Sequence, residues 1–212
     1  MDQVELFRAL PTTLRAISQR KLVQGVGTND ADYELSYTVN GKRVTCPYYR
    51  AWSRMLERGY SKALKKRRET YQGCWVCSSW LLFSNFKAWM QLQDWRGKHL
   101  DKDLLVPGNL EYGPTTCVFV TPAINGLLNK HLKDKGKYPT GVAWHKTKKR
   151  FRAQCSVRGV VIEIGSFSSA KQAHEAYVEF KVAVITEIAN EPDNKYIKTA
   201  LLKQAKEIQR CL

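Results

Sequence analysis

The 212-residue sequence predicts an α+β protein built in two parts. Three observations lead there. Residues 140–167 hold three short runs of alternating apolar and polar residues, with turn signals at Lys146–Lys149 and Arg158-Gly159, and an amphipathic stretch follows at once. Residues 33–49 alternate around Asn40-Gly41, the strongest short-range hairpin signal. Between these regions, apolar residues recur at helical spacing.

Taken in order, Val4, Phe7, Leu10, Leu14 and Ile17 have helical spacing, with Pro11 placed to break or restart that helix. The segment GVGTNDADY (25–33) is a loop by its Gly, Asn and Asp content, and the hairpin completes a lead-in over 1–45. Tyr48, Trp52, Met55 and Leu56 share one helical face. The basic run Lys62–Arg68 comes next, a solvated face or loop, or a contact to DNA backbone. CWVC (74–77) begins with a turn, and Ser84 predicts the N-cap of a short helix carrying Phe86, Trp89 and Met90. A hairpin is expected from residue 97, then a helix capped by Thr121 with Pro122 in its first turn. Residues 133–139 form a polar, basic linker.

In the C-terminal part, alternation directs Val142, Trp144, Phe151, Ala153, Cys155, Ile162 and Ile164 toward the following helix. That helix has an inner stripe of Ala173, Ala176, Tyr177, Phe180, Val184 and Ile188, and Pro192 ends it. A last amphipathic helix falls within 191–212. Trp52, Trp80, Trp89 and Trp144 have apolar neighbours and are expected in cores.

Composition narrows the function. Lys and Arg number 35 against 19 Asp and Glu, a net charge of +16, which points to a polyanionic partner. No stretch reaches the ~18 apolar residues a membrane span needs, and the N-terminus lacks the pattern of a secretory signal. The six cysteines read as reduced thiols rather than a disulfide framework.

The outward side of the C-terminal strands carries His145, Arg150 or Arg152, Gln154 and Glu163, with Lys146, Lys148, Lys149 and Arg158 at the turns. Arg pairs with guanine, Gln with adenine and Glu with the cytosine amino group, while lysines at turns hold phosphates. The alternative is a plain solvated face. The stretch GVAWHKTKKRFRAQC…IEIGSFSSAKQAHEAY resembles the plant-type Apetala-two (ethylene-response-factor) DNA-binding domain over about 45 residues, in strand lengths, the Gly165-Ser166-Phe167 corner and the A-x-x-A-Y of the helix. The resemblance implies a three-stranded antiparallel sheet, packed on one helix, that lies in the major groove of duplex DNA; it spans 140–190. Ala143, Val161 and Glu163 depart from that pattern at base-reading positions, so the family's target sequence does not carry over.

The N-terminal part poses a chemical question. An Asp on a hairpin arm and an Asn on the next helix can grip one Mg²⁺ and leave positions open for phosphate and water. The segment LDKD…N…YGPTTCVFVTPAIN resembles the HNH, or ββα-metal, nuclease motif as found in bacteriophage homing endonucleases, and the lead-in GVGTND, CPYYRAWSRMLERGYS and YQGCWVCSSWLLFSNF resembles theirs. The resemblance implies an HNH-like domain over 46–132 and a metal-dependent endonuclease in the cytoplasm of an infected bacterial host, cutting or nicking double-stranded DNA as a monomer. It places Asp101 and Asn125 on metal-binding positions, and Phe119 and Thr121 on the motif's aromatic and threonine. Lys102 stands where the water-activating histidine belongs, and Thr116 where an asparagine ties the hairpin loop.

A lysine is protonated at neutral pH and makes a poor base, though as a cation it can stabilise charge on phosphate. His99, two residues before Asp101, is a second candidate base or an ordinary surface histidine, and Asp103 a further candidate for metal or water contact. A water activated by the metal alone is another route. Cys74 and Cys77 form one C-x₂-C pair that Cys46 and Cys117 would complete into a zinc site, but no second paired knuckle exists, which argues against zinc. The rival reading is a protein descended from a nuclease that still binds DNA without cutting it, acting as a regulator or host-interaction factor of a phage. Lys102 and Thr116 favour it.

Overall fold

The computed structural model describes residue 7, residues 11–128 and residues 137–210. The expected positions Val4 and Leu10 and residues 133–136 of the linker lie outside them. The chain is a mixed α+β protein with small sheets, and it separates into two compact units: 1–96 with 108–119, and 97–107 with 120–212. Among the described residues no helix is long and apolar enough to cross a membrane.

The first unit begins with a short helix α1 (Leu14–Ser18), capped by Thr13, whose Oγ1 accepts from Ala16 N. Phe7, ahead of Pro11, is helical and buried, whereas Leu14 is exposed. Strands β1 (Ser36–Val39) and β2 (Lys42–Thr45) form the expected hairpin. Asn40 and Gly41 both take positive φ, 49° and 71°, as a tight two-residue turn demands. Helix α2 (Pro47–Tyr60) buries Tyr48, Trp52, Met55 and Leu56 along the face read from the sequence. The loop before it lies tight on that face. A Cβ on Gly27 would come 2.3 Å from Leu56 Cδ1.

The basic run is helical: α3 (Lys62–Arg67) follows α2 after Ser61, whose hydroxyl accepts from Leu64 N. Strand β3 (Trp75–Val76) runs parallel to β5 (Glu111–Tyr112). Helix α4 (Phe83–Gln91) starts one residue before Ser84, so Ser84 is not its N-cap. Instead Asp30, reaching from the 25–33 loop, accepts from Ser84 N at 2.9 Å, so an acceptor distant in sequence covers an open N–H of the first turn. Trp52 meets Phe83 at a tilt, 5.4 Å between centroids, and Trp80, Phe86 and Trp89 meet edge-on or tilted at 4.6 to 5.8 Å, while Trp52 Nε1 donates to Trp80 O. Trp89 also stacks on Phe119.

The second unit contains β4 (His99–Asp101), the last residue of β6 (Val118–Val120) and α5 (Pro122–Leu128). Thr121 caps α5, accepting from Ile124 N. Then come β7 (Val142–His145), β8 (Arg150–Val157) and β9 (Val160–Phe167), an antiparallel sheet in that order. The β8–β9 turn uses Arg158 and Gly159, both at positive φ. A register shift between Ala153 and Gln154 leaves Ile164 as the extra residue of a bulge.

Helix α6 (Ala170–Asn190), capped by Ser169, packs on the sheet through Ala173 and Tyr177. It departs from the expected single stripe. Ala176, Phe180 and Val184 of that stripe are only half-buried, whereas Val178, Ile185 and Ala189 are buried, because α7 (Lys198–Gln209) lies against α6 and brings Leu201 and Ala205. Trp144 is a correction to the expected core. It is 39% exposed and meets Phe151 edge-on, because β7 is an edge strand that ends one residue later.

Candidate functional site

The short strand β4 sorts its residues by side. His99 is exposed and Asp101 half-buried, while Leu100 and Lys102 are buried at 9% and 5% exposure. Alternation along an extended chain puts His99 and Asp101 on one side and Leu100 and Lys102 on the other. Helix α5 meets the first side: Asn125 Nδ2 lies 3.3 Å from His99 Nδ1. An amide nitrogen only donates, so in this orientation Nδ1 is the acceptor. Turning the amide would free Nε2 but commit Asn125 Oδ1 to His99 instead of a metal ion. Asn125 thereby governs which imidazole nitrogen is basic.

Asp101 anchors the turn that follows β4. Its Oδ1 accepts from Asp103 N at 2.9 Å and Leu104 N at 2.7 Å. Burial pushes its carboxyl above the ordinary carboxylate range, and the two backbone donors offset that rise only in part. Lys102 does not bond to it. The Lys102 ammonium donates to Asp103 Oδ1 at 2.7 Å and stays on the buried side of the strand. Asp103 is exposed and committed through that oxygen to Lys102.

The donor set suits a hard divalent cation. Asp101 Oδ2 and Asn125 Oδ1 are oxygen ligands, and neither accepts a hydrogen bond from the described residues. A carboxylate whose charge is disfavoured by burial is also one that a cation would relieve. Among the described residues no three His, Cys, Asp or Glu gather as a metal-holding group, so phosphate and water would have to complete such a coordination shell.

In the first unit, Thr116 ties the turn between β5 and β6. Its hydroxyl donates to Glu111 O at 3.0 Å and accepts from Gly113 N at 3.1 Å. Asn109, to which the sequence reading gave no role, brackets the same segment: its side chain donates to Glu111 O and accepts from Glu111 N. An Asn two residues before a strand is the turn signal that pointed to it.

The four cysteines of the candidate zinc set have other contacts. Cys74 Sγ faces Thr70 O at 3.8 Å, Cys77 Sγ lies 3.3 Å from Ser79 Oγ, and Cys117 receives Thr116 Oγ1 at 4.0 Å. Cys46 is buried at the start of α2. All four are free thiols.

On the C-terminal sheet, strand register gathers the candidate base-reading residues. His145 pairs with Arg150, Ala143 with Arg152 and Gln154 with Glu163. Arg150 and Arg152 therefore share the face that the sequence reading gave to one of them. Arg152 Nη1 and Glu163 Oε2 are 3.9 Å apart. Lys148 and Lys149 are exposed at the β7–β8 turn, where His145 Nδ1 accepts from Lys148 N. Arg158 is held by an ion pair to Glu191, at the C-terminal end of α6, which competes with any phosphate for it.

No protein-family model, no curated protein and no solved structure matches this chain.

Proposed function

We propose that the protein is a DNA endonuclease that hydrolyses phosphodiester bonds with one divalent metal, using a β4–β6–α5 segment of ββα-metal type, and that β7–β9 read its target. The observation that carries this is the meeting of His99 and Asn125 on the same side of β4 as Asp101, with Lys102 turned inward. Asp101 and Asn125 would hold Mg²⁺ or a similar ion. When bound, that ion would stabilise charge on the phosphate and the leaving oxygen. His99 would take the water's proton at Nδ1, the nitrogen that Asn125 Nδ2 faces until water displaces it. Lys102 braces the strand through Asp103 and is no longer the leading candidate for the base. The outward residues of the sheet supply base contacts, and the lysines of its first turn hold phosphate.

A supercoiled-plasmid nicking assay with and without Mg²⁺ tests the reading. The wild type should nick only with metal, and Asp101→Ala should not nick at all. Equal nicking by both proteins would remove the site assignment.

A second reading is favoured by one observation: Asp101 already spends one oxygen on backbone donors, and the described residues bring no third acidic or imidazole ligand. On this reading the chain binds duplex DNA without cutting it. Metal-independent binding with no nicking at any metal concentration would select it.

A further inference from the structure

The first unit carries a second concentration of charge, unrelated to β4 or to the C-terminal sheet. Helix α3 and the residue after it hold Lys62, Lys65, Lys66, Arg67 and Arg68 in a single short segment. Among the described residues only Lys65 has an internal side-chain partner: its ammonium donates to Cys74 O at 2.9 Å. Lys62, Lys66, Arg67 and Arg68 are exposed, and none has an ion pair or hydrogen bond from its side chain to a described residue. Lys62 and Lys66 stand one turn apart on the same helical face, where like charges repel. No acidic residue lies within the helix, and the nearest along the chain on its C-terminal side is Glu69, directly after Arg68.

The segment is also held firmly. Ser61 caps α3 at 3.2 Å, Gln72 Nε2 donates to Lys65 O at 3.0 Å, and Arg68 N closes on Leu64 O at 2.8 Å. Just before it, Tyr60 OH bonds both the N–H and the carbonyl of Val76 at 3.2 Å. A cationic array fixed in this way loses little freedom when it meets a ligand.

We infer that the exposed face of α3 with Arg68 is a sequence-independent contact for the sugar–phosphate backbone of duplex DNA. It acts in addition to the base-reading sheet and rests on the reading of the protein as one that binds DNA. The ligand chemistry follows from the residues. Four exposed cations, with no described partner for their side chains and no aromatic ring among them for unpaired bases to stack on, suit a regular line of phosphates.

The test is a salt titration of binding to a fluorescein-labelled, mixed-sequence DNA duplex, followed by anisotropy. Three proteins are compared: wild type, K62Q/K66Q/R67Q/R68Q, and a control with the same charge change elsewhere, K195Q/K198Q/K203Q/K206Q, whose lysines are exposed. The slope of log K against log salt should become shallower by about 0.9 for every phosphate that is no longer neutralised, so by roughly 2 to 4 in the α3 variant. The control should keep a slope near the wild type's. Affinity should fall by the same factor on every duplex sequence.

A wild-type slope in the α3 variant overturns the inference while leaving DNA binding intact. An equal loss in the control also overturns it, since net charge would then explain the effect. A wild type that binds no duplex sinks the proposed function and this contact with it. Should the fourfold variant unfold, K62Q/K66Q, which touches only exposed side chains, decides the matter by the same slope.

Discussion

Within the second unit, the β7–β9 sheet and the β4–α5 segment are held in place by different forces. The sheet is positioned by burial. Ala153 and Cys155 on β8 pack on Ala173 and Tyr177 of α6, and α7 closes the far side of that helix. The β4–α5 segment has only short elements, of three and seven residues, and its functional side chains are oriented by polar bonds: Asp101 to two backbone N–H groups, Lys102 to Asp103, Asn125 to His99. Changes in the sheet should therefore be felt as lost stability, and changes on the exposed side of the β4–α5 segment as lost chemistry, with buried Lys102 the exception.

The sharpest test of that contrast sets His99 against Lys102. His99 is exposed and touches Asn125, so His99→Ala should lower the nicking rate by about 10²–10⁴-fold, the usual contribution of a general base. Its stability should stay within about 0.5 kcal/mol of wild type. Lys102→Ala should do the reverse. It strips a buried ammonium from Asp103 and leaves a gap beside Leu100, costing about 1–3 kcal/mol by urea unfolding. The folded fraction should still nick. A Lys102→Ala protein that is stable but inactive would restore lysine to the chemical step.

Next in size is a backbone position of the sheet. Gly141 has φ +82°, and a Cβ there would fall 2.2 Å from Cδ2 of the Tyr177 ring. Gly141→Ala combines a left-handed backbone with a clash against the helix that covers the sheet. It should cost about 3 kcal/mol or more in chemical denaturation. Near-wild-type stability would mean that Tyr177 can leave its place, and the burial account of this region would need revision.

The two regions are also unequally legible in the sequence. Strand alternation, the Arg158-Gly159 turn and the Ala173–Tyr177 stripe are regular patterns, and the sheet follows them to within one bulge. Sequence periodicity does not show a partner helix, so the second buried stripe of α6 is invisible to it, and so is the exposure of Trp144 on an edge strand. In the β4–α5 segment the opposite holds. Residue types and spacing single out His99, Asp101, Lys102 and Asn125, but not their orientations. Lys102 reads as a catalytic group only through the resemblance, which puts it at the motif's histidine position, and its 5% exposure beside buried Leu100 shows it lying inward. Asp30 at the start of α4 is illegible for a third reason: the cap is 54 residues away in sequence, and capping rules look only at neighbours.

A smaller effect separates polar anchoring from simple packing in the first unit. Thr116→Val keeps the shape of the side chain but removes a hydroxyl that both donates and accepts. It should cost about 1–2 kcal/mol by urea unfolding, whereas Thr116→Ser should cost less than about 1 kcal/mol. Equal losses would assign the role of Thr116 to its methyl group instead.

The smallest expected effect is a pH dependence that belongs to the sheet alone. Burial, with a lesser contribution from the Cys155 thiolate nearby, pushes the Tyr177 phenol up to about 12 from the ordinary 10.0. Below pH 10 the phenol is neutral in both folded and unfolded chains, and its contribution to stability is complete. Between pH 10 and about 12 the unfolded chain loses the proton while the folded chain keeps it, so stability falls as pH rises through that window. Burial likewise pushes up the Cys155 thiol, and Lys181 donates to the Tyr177 hydroxyl at 3.3 Å, so both residues are retained in the comparison. Tyr177→Phe should therefore show a flatter decline in urea midpoint from pH 10 to about 12 than the wild type. Parallel declines would place the phenol in contact with water and weaken the case that burial positions this face.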